Sequence, residues 1–451
     1  MKLAYWSPLS PRGTGIADYS EELLPYLADK GADIHLFVDD YEPDNRAIVE
    51  QFPWHPAREY EQVAAREAFD LNLYQIGNSS YHRYALNAAL RFPGVVVLHD
   101  LVLQHLFLGL SVERGDSALY VSEMKRAYGE RGAALGRQVA AALGSDLLTS
   151  KFPLCERMIE RSYGVLVLTR FMQRWLEKRF GSIVVGKFIG RAPHHYAPAP
   201  PLPADTKVDA RRALELPEEA FVVASFGLAT RAKRIDRALE GFRRFLSTSA
   251  PTDARFLVVG EVQEGYELDP ALVAELGDRL VLTGRQPMDR FYLYMRACDV
   301  VVNLRFPSTG ELSGTLIRTL GMGKPVLVSN TGPFAEFPEH TVARIDLGLP
   351  EVEAIAGTLR LFHERPDLRA AMGRFAREHV ESYYKLEDEA DAYMAFLEKV
   401  AAARREGTLA PPPPYDQADL AASVMTSIAD MPLGSTFGLE TVRETLSDVR
   451  D

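Results

Sequence analysis

Short apolar runs alternate with stretches of helical period along most of the chain. Leu3–Trp6, Ile34–Val38, Leu71–Ile76, Val95–Leu98 and Val165–Leu168 have the character expected of strands buried on both faces. Between them, Ala17–Leu27, Tyr81–Leu90 and Ala118–Leu143 repeat apolar residues at helical spacing. This alternation predicts a parallel sheet with crossover helices. Prolines at 193, 198, 200, 201 and 203 interrupt the pattern and mark a linker. It then restarts, with strands predicted at Phe221–Phe226, Phe256–Val259, Leu280–Thr283, Val300–Leu304 and Val326–Val328, and helices at Arg231–Leu246, Met288–Ala297 and Val352–His363. Glu387–Arg404 reads as a last helix, before Pro411–Pro414 break the chain. The expectation is an α/β protein of two similar halves, residues 1–200 and 207–384. The first is completed by the helix at about 385–404, and a Pro-rich linker and acidic helical tail follow over 405–451.

Composition narrows the class. The 451 residues are 47% apolar and 25% charged, the balance of a globular chain long enough for two large cores. With 51 Lys/Arg against 62 Asp/Glu the formal charge is −11, which argues against a general nucleic-acid binder. Residues 113–191 run the other way, with 14 Lys/Arg against 8 Asp/Glu, and read as a solvated helical face or as a contact with anionic lipid headgroups. Cys155 and Cys298 stand far apart with no CxxC, so neither a disulfide framework nor a zinc site is expected and a reducing cytosol fits. The start, Met1-Lys2-Leu3-Ala4-Tyr5-Trp6, lacks the features of a secretory signal, and no window reaches the ~20 apolar residues of a bilayer span. The expected location is cytoplasmic, extending to the inner face of the membrane.

Chemistry concentrates where predicted strands end. Val300–Leu304 runs into Arg305-Phe306-Pro307-Ser308-Thr309-Gly310-Glu311-Leu312-Ser313-Gly314, then a helical segment from Thr315 to Gly321. A carboxylate and a helix start thus sit at the carboxyl end of a parallel strand, where open α/β sheets bind ligands and where helix N-termini favour phosphate. Pro11-Arg12-Gly13-Thr14-Gly15-Ile16-Ala17-Asp18-Tyr19 follows the first strand, and its glycines let a backbone approach a ligand closely. A dinucleotide fingerprint would need a third glycine where Asp18 stands. Val96-Val97-Leu98 leads into His99-Asp100, and Tyr74-Gln75-Ile76 leads into Gly77-Asn78. Phe226-Gly227-Leu228-Ala229-Thr230-Arg231-Ala232-Lys233-Arg234 places cations after the first strand of the second half, where a bound anion would offset their position at a helix start. No acidic DxD closes a strand, so a catalytic metal is not implied and no cofactor is expected. Asp388-Glu389-Ala390-Asp391 spells a helicase-like tetrapeptide without a phosphate loop and reads as an exposed helix start.

In this order the motifs resemble those of the retaining glycosyltransferases of family 4, of GT-B fold, over roughly residues 1–400. The resemblance implies two Rossmann-like lobes facing across a cleft, and transfer of a sugar from a UDP- or GDP-linked donor to a glycan, lipid-linked or small-molecule acceptor in polysaccharide biosynthesis. It implies that Gly13, Thr14 and Gly15 lie near the donor phosphates and that His99 reaches the donor sugar. Asp18, Asn78, His82 and Asp100 become candidates for the acceptor, with loop stabilisation the competing role for Asn78 and His82. Gly227 and Lys233 match a glycine and lysine six residues apart that hold the diphosphate. The arginine many members carry after that glycine is Leu228 here, and Arg231 is its candidate replacement. Gly284 and Arg285 fall near the nucleotide base, and Ser313, Gly314 and Thr315 at the phosphate-binding helix start. Glu311 matches the first of two glutamates eight residues apart. The second slot holds Arg318 or Thr319, depending on which end is counted from; neither is an acid, and Arg318 becomes a donor-binding candidate that meets a phosphate or pairs with Glu311.

The resemblance therefore implies a retaining, hexosyl-type glycosyltransferase with His99, Lys233 and Glu311 catalytic, and the lack of a DxD adds the expectation that it is metal-independent. The missing second glutamate keeps a non-catalytic nucleotide-sugar-binding or scaffold protein as the alternative, and a Rossmann-type NAD(P) oxidoreductase stands behind both. In the tail, Asp416–Asp430 and Leu439–Arg450 carry helically spaced apolar residues and are expected to dock on the first lobe or on a second copy in a homo-oligomer.

Overall fold

The computed structural model describes the chain except residues 113, 114, 116, 144–149, 182–186, 201–205, 250–252, 410, 411 and 414–451. The two tail segments expected to be helical, 416–430 and 439–450, lie outside the described residues.

The chain forms two compact units, each built on a parallel sheet. The first comprises Met1–Ala192, Thr309–Glu311 and the described residues from Glu387 on; the second comprises Pro193–Ser308 and Leu312–Leu386. In the first unit the strands are β1 (Lys2–Trp6), β2 (Asp33–Val38), β3 (Trp54–Pro56), β4 (Leu71–Ile76), β5 (Val95–Leu98), β6 (Gly164–Val167) and β7 (Phe188–Arg191), in the order β3-β2-β1-β4-β5-β6-β7. The order reverses beside β1, so the carboxyl ends of β1 and β4 flank a switch point, the usual ligand site of such sheets. Trp6 stacks on Phe37 and Tyr74 inside the core beneath it. The last helix, Leu386–Arg405, lays Phe396 on β6 and β7; Gly164 and Gly190 leave room for that ring, since a methyl at Gly190 would lie 2.3 Å from it.

The second unit adds β8 (Phe221–Phe226), β9 (Ala254–Val259), β10 (Leu280–Gly284), β11 (Val300–Asn303), β12 (Val326–Ser329) and β13 (Ala343–Ile345), ordered β10-β9-β8-β11-β12-β13. Its switch point lies between β8 and β11, and Gly227 and the 305–313 loop leave the sheet there.

Two sequence expectations need correction. Arg231–Leu246 is not one helix. Arg231–Lys233 forms a 3₁₀ turn, Arg234 takes a left-handed conformation at φ 53°, and the α-helix begins at Ile235. The cause is tertiary: Arg234 donates from Nε to Glu351 Oε1 at 2.7 Å and pairs with Oε2 through Nη2, and Glu351 is buried at the start of the helix Glu351–Glu364. Nor is Asp388–Asp391 simply an exposed helix start. Asp388 and Asp391 face solvent, but Glu389 is completely buried.

Candidate functional site

In the second unit the sequence builds a cationic turn at the end of β8. Gly227 has φ 80°, a conformation that suits glycine, and its N–H binds Val259 O at 2.8 Å. Lys233 folds back from the 3₁₀ turn and donates from Nζ to Phe226 O at 2.7 Å. A methyl built on Gly227 would lie 2.8 Å from Lys233 Nζ and 3.9 Å from Thr315 Cγ2. The glycine therefore makes room for the ammonium beside the start of the helix Gly314–Gly321.

Ser313 caps that helix, with Oγ accepting from Leu316 N at 3.3 Å and lying 2.9 Å from Thr315 Oγ1. The first-turn amides have no partner within a helix, so this end favours an anion. Arg318 bends back toward the same end; a methyl on Gly314 would lie 3.3 Å from its Nη1. Of the two residues that could fill the second acidic slot, Thr319 is fully buried and turns its hydroxyl onto Thr315 O and Leu316 O, both at 2.9 Å. Arg318 is the one that reaches the surface. Gly227, Lys233, Ser313, Gly314, Thr315 and Arg318 thus meet at one sheet edge. Arg231 is exposed on the 3₁₀ turn, and Gly284 (φ 66°) and Arg285 are exposed at the end of β10. The base of the 305–313 loop is fixed by Phe306 N donating to Ala232 O at 2.8 Å and Arg305 N to Ser329 Oγ at 2.9 Å.

The first unit gathers a second group. Thr14 caps the helix Gly15–Asp29, its side chain accepting from Ile16 N at 3.3 Å; Gly13 and Gly15 are exposed, and Asp18 is half-buried in the first turn. Asp100 accepts Asn78 N at 2.9 Å through Oδ2 and Thr309 Oγ1 at 2.7 Å through Oδ1. Glu311 Oε2 lies 2.8 Å from both the amide and the hydroxyl of Thr309. One hydroxyl hydrogen therefore stands between two carboxylates. Asn78 Oδ1 also accepts Leu106 N at 3.1 Å, which ties its amide to the loop.

His99 is nearly buried, its Nε2 2.8 Å from Gln75 Oε1 and its ring meeting that of Tyr19 edge-on at 4.7 Å. His82 is wholly buried, with Nδ1 3.0 Å from Gln75 O and Nε2 without a hydrogen-bond partner; burial pushes its pKa down to about 4. Fully enclosed, His82 offers no surface to an acceptor and serves the strand-end turn. Sequence reasoning missed Thr309, Arg234 and Glu389. Only Glu389 left a trace, because it falls on the apolar stripe of its helix with Leu386, Tyr393 and Leu397. Among the described residues no group of three or more His, Cys, Asp or Glu could hold a metal, and no helix is long and apolar enough to cross a membrane.

Two Rossmann-like units and the phosphate-suited edge of the second define a chain of GT-B architecture. Residues 207–379 match the family model for glycosyl transferases group 1, so the second unit carries a domain of that kind. Solved structures with the same overall fold include sucrose-phosphate synthase from Thermosynechococcus elongatus, 18% identical over 89% of this chain and 99% of that one, with TM-score 0.62. A glycosyltransferase from Rickettsia africae is 12% identical over 88% and 98%, with TM-score 0.61. Anabaena HepE in complex with UDP-glucose is 15% identical over 90% and 100%, with TM-score 0.57. These likenesses concern the fold. No curated protein matches the sequence.

Proposed function

We propose that the protein is a retaining, metal-independent glycosyltransferase that takes a hexosyl group from a nucleotide-sugar. The observation that carries this reading is the convergence of Lys233, Gly227 and the start of the Gly314–Gly321 helix within the matched domain. A fixed ammonium beside a helix N-terminus suits a diphosphate leaving group, whose charge grows as the sugar departs. Arg318 adds a second cation at the same helix end. Because HepE has been solved with UDP-glucose, UDP-sugars are the first donors to test, with GDP-sugars next.

In the proposed reaction the acceptor oxygen bonds to the anomeric carbon on the face the diphosphate leaves. The carbon–oxygen bond to phosphate breaks, and the acceptor proton passes to the departing phosphate oxygen. Lys233 and the helix start hold the growing charge. No enzyme nucleophile is needed. His99 and Glu311 are assigned to the sugar, and Asp18, Asn78 and Asp100 to a glycan, lipid-linked or small-molecule acceptor; the site is cytoplasmic, at or near the membrane.

Turnover separates this reading from a binding or scaffold protein, for which the absence of an acid at Arg318 and Thr319 is the motive. Release of nucleoside diphosphate that depends on an acceptor and survives EDTA supports the enzyme. Tight donor binding without release supports the scaffold, and activity only with added Mg²⁺ or Mn²⁺ overturns metal independence.

A further inference from the structure

The first unit holds a buried series of contacts that runs from its last helix to His99. Tyr19 donates to Glu389 Oε1 at 2.6 Å, and its oxygen lies 2.7 Å from the Tyr393 hydroxyl. Tyr19 has one hydroxyl proton, and when it is given to Glu389 Oε1 the Tyr393 hydroxyl is left as the donor to Tyr19. Burial and the Glu389 charge raise the pKa of Tyr19 and of Tyr393, which keeps both as donors. The Tyr19 ring backs His99 edge-on, and Gln75 holds His99 Nε2 from strand β4. His99 thus meets strand β4 through Gln75 and the helix Gly15–Asp29 through Tyr19, whose hydroxyl is held by the C-terminal helix.

A carboxylate at Glu389 is costly in this setting. It is fully enclosed on a stripe of Leu386, Ala390, Tyr393, Leu397 and Val400. Removing the carboxylate alone would take away the acceptor of the buried Tyr19 hydroxyl, so Glu389 and Tyr19 act as one unit.

We infer that Glu389 is a positioning residue for His99, acting through Tyr19, so that docking of the C-terminal helix completes the strand-end group of the first unit. This deepens the function proposed above and rests on it only for the activity readouts.

The test compares Glu389→Gln, Glu389→Met and Tyr19→Phe in the full chain, by histidine-ring NMR, thermal melting and steady-state kinetics. Tyr19→Phe keeps the ring and guards against a variant that fails to fold. The expected result is broadened or shifted His99 ring signals in Glu389→Met and Tyr19→Phe, with both variants still melting cooperatively. Their kcat falls about tenfold with donor KM within about twofold, as misorientation without lost diphosphate binding predicts. Glu389→Gln, which retains an acceptor for Tyr19, recovers most of the loss. A Tm that falls while His99 signals and kcat stay as in the wild type would make Glu389 structural only. If the wild type transfers no sugar from any donor, the transferase reading fails, and the NMR comparison still decides the positioning claim.

Discussion

At the scale of single residues, the account depends most on Lys233. Its ammonium is fixed by Phe226 O and lies against Gly227, where a Cβ would come within 2.8 Å of it. Lys233→Ala should leave melting close to wild type and cut kcat/KM on the true substrates about 100-fold, the roughly 3 kcal/mol typical of one lost charge-stabilising donor. A variant with wild-type kcat/KM would remove Lys233 from the chemistry. His82 makes a different prediction. Its folded pKa, about 4, lies below the unfolded value of 6.5, so the unfolded state binds the extra proton. Stability is fully present above 6.5 and is lost as pH falls toward about 4, by about 3 kcal/mol from this residue alone. His82→Leu should flatten that part of the stability–pH curve measured in urea. An equally steep curve would place the titrating group elsewhere.

At the scale of elements, the turn Arg231–Lys233 is held by Arg234 and Glu351. Glu351→Ala leaves a half-buried guanidinium without its carboxylate and should cost about 3 kcal/mol in chemical denaturation, with weaker donor binding because Lys233 sits on the same turn. A stability loss under 1 kcal/mol with unchanged donor affinity would detach the ion pair from the turn. This pair also marks where the sequence stops being legible. The central strands β1, β2, β4, β5, β8, β9, β11 and β12 were readable because strands covered on both faces become apolar runs. Strands β3, β7 and β13 were not. They are three or four residues long, only partly buried, and interrupted by Pro56, by Gly190 and Arg191, and by Arg344. The break at Arg234 was invisible for another reason: its cause, Glu351, lies 117 residues away.

At the scale of the whole molecule, the chain forms two units of one architecture, each with its own strand-end loops, and the last helix belongs to the first unit. Glycine-marked strand ends such as Gly227 were legible because backbone geometry selects that residue. The Tyr19–Glu389 contact was not, because it joins residues 370 apart. Truncation after Ala410 tests the tail at this scale. Docking on the first unit predicts a lower Tm, and docking on a second copy predicts a smaller mass in solution. Unchanged Tm, mass and activity would make the tail an appendage.

The central claim is transfer with retention, and product stereochemistry tests it most directly. The full-length protein is incubated with a panel of α-linked UDP- and GDP-sugars and candidate acceptors, and the new anomeric proton is read by NMR alongside nucleoside diphosphate release. The account predicts stoichiometric release and an α-configured product, both abolished in Lys233→Ala. A β-configured product, or no acceptor-dependent release from a donor that binds, would contradict it.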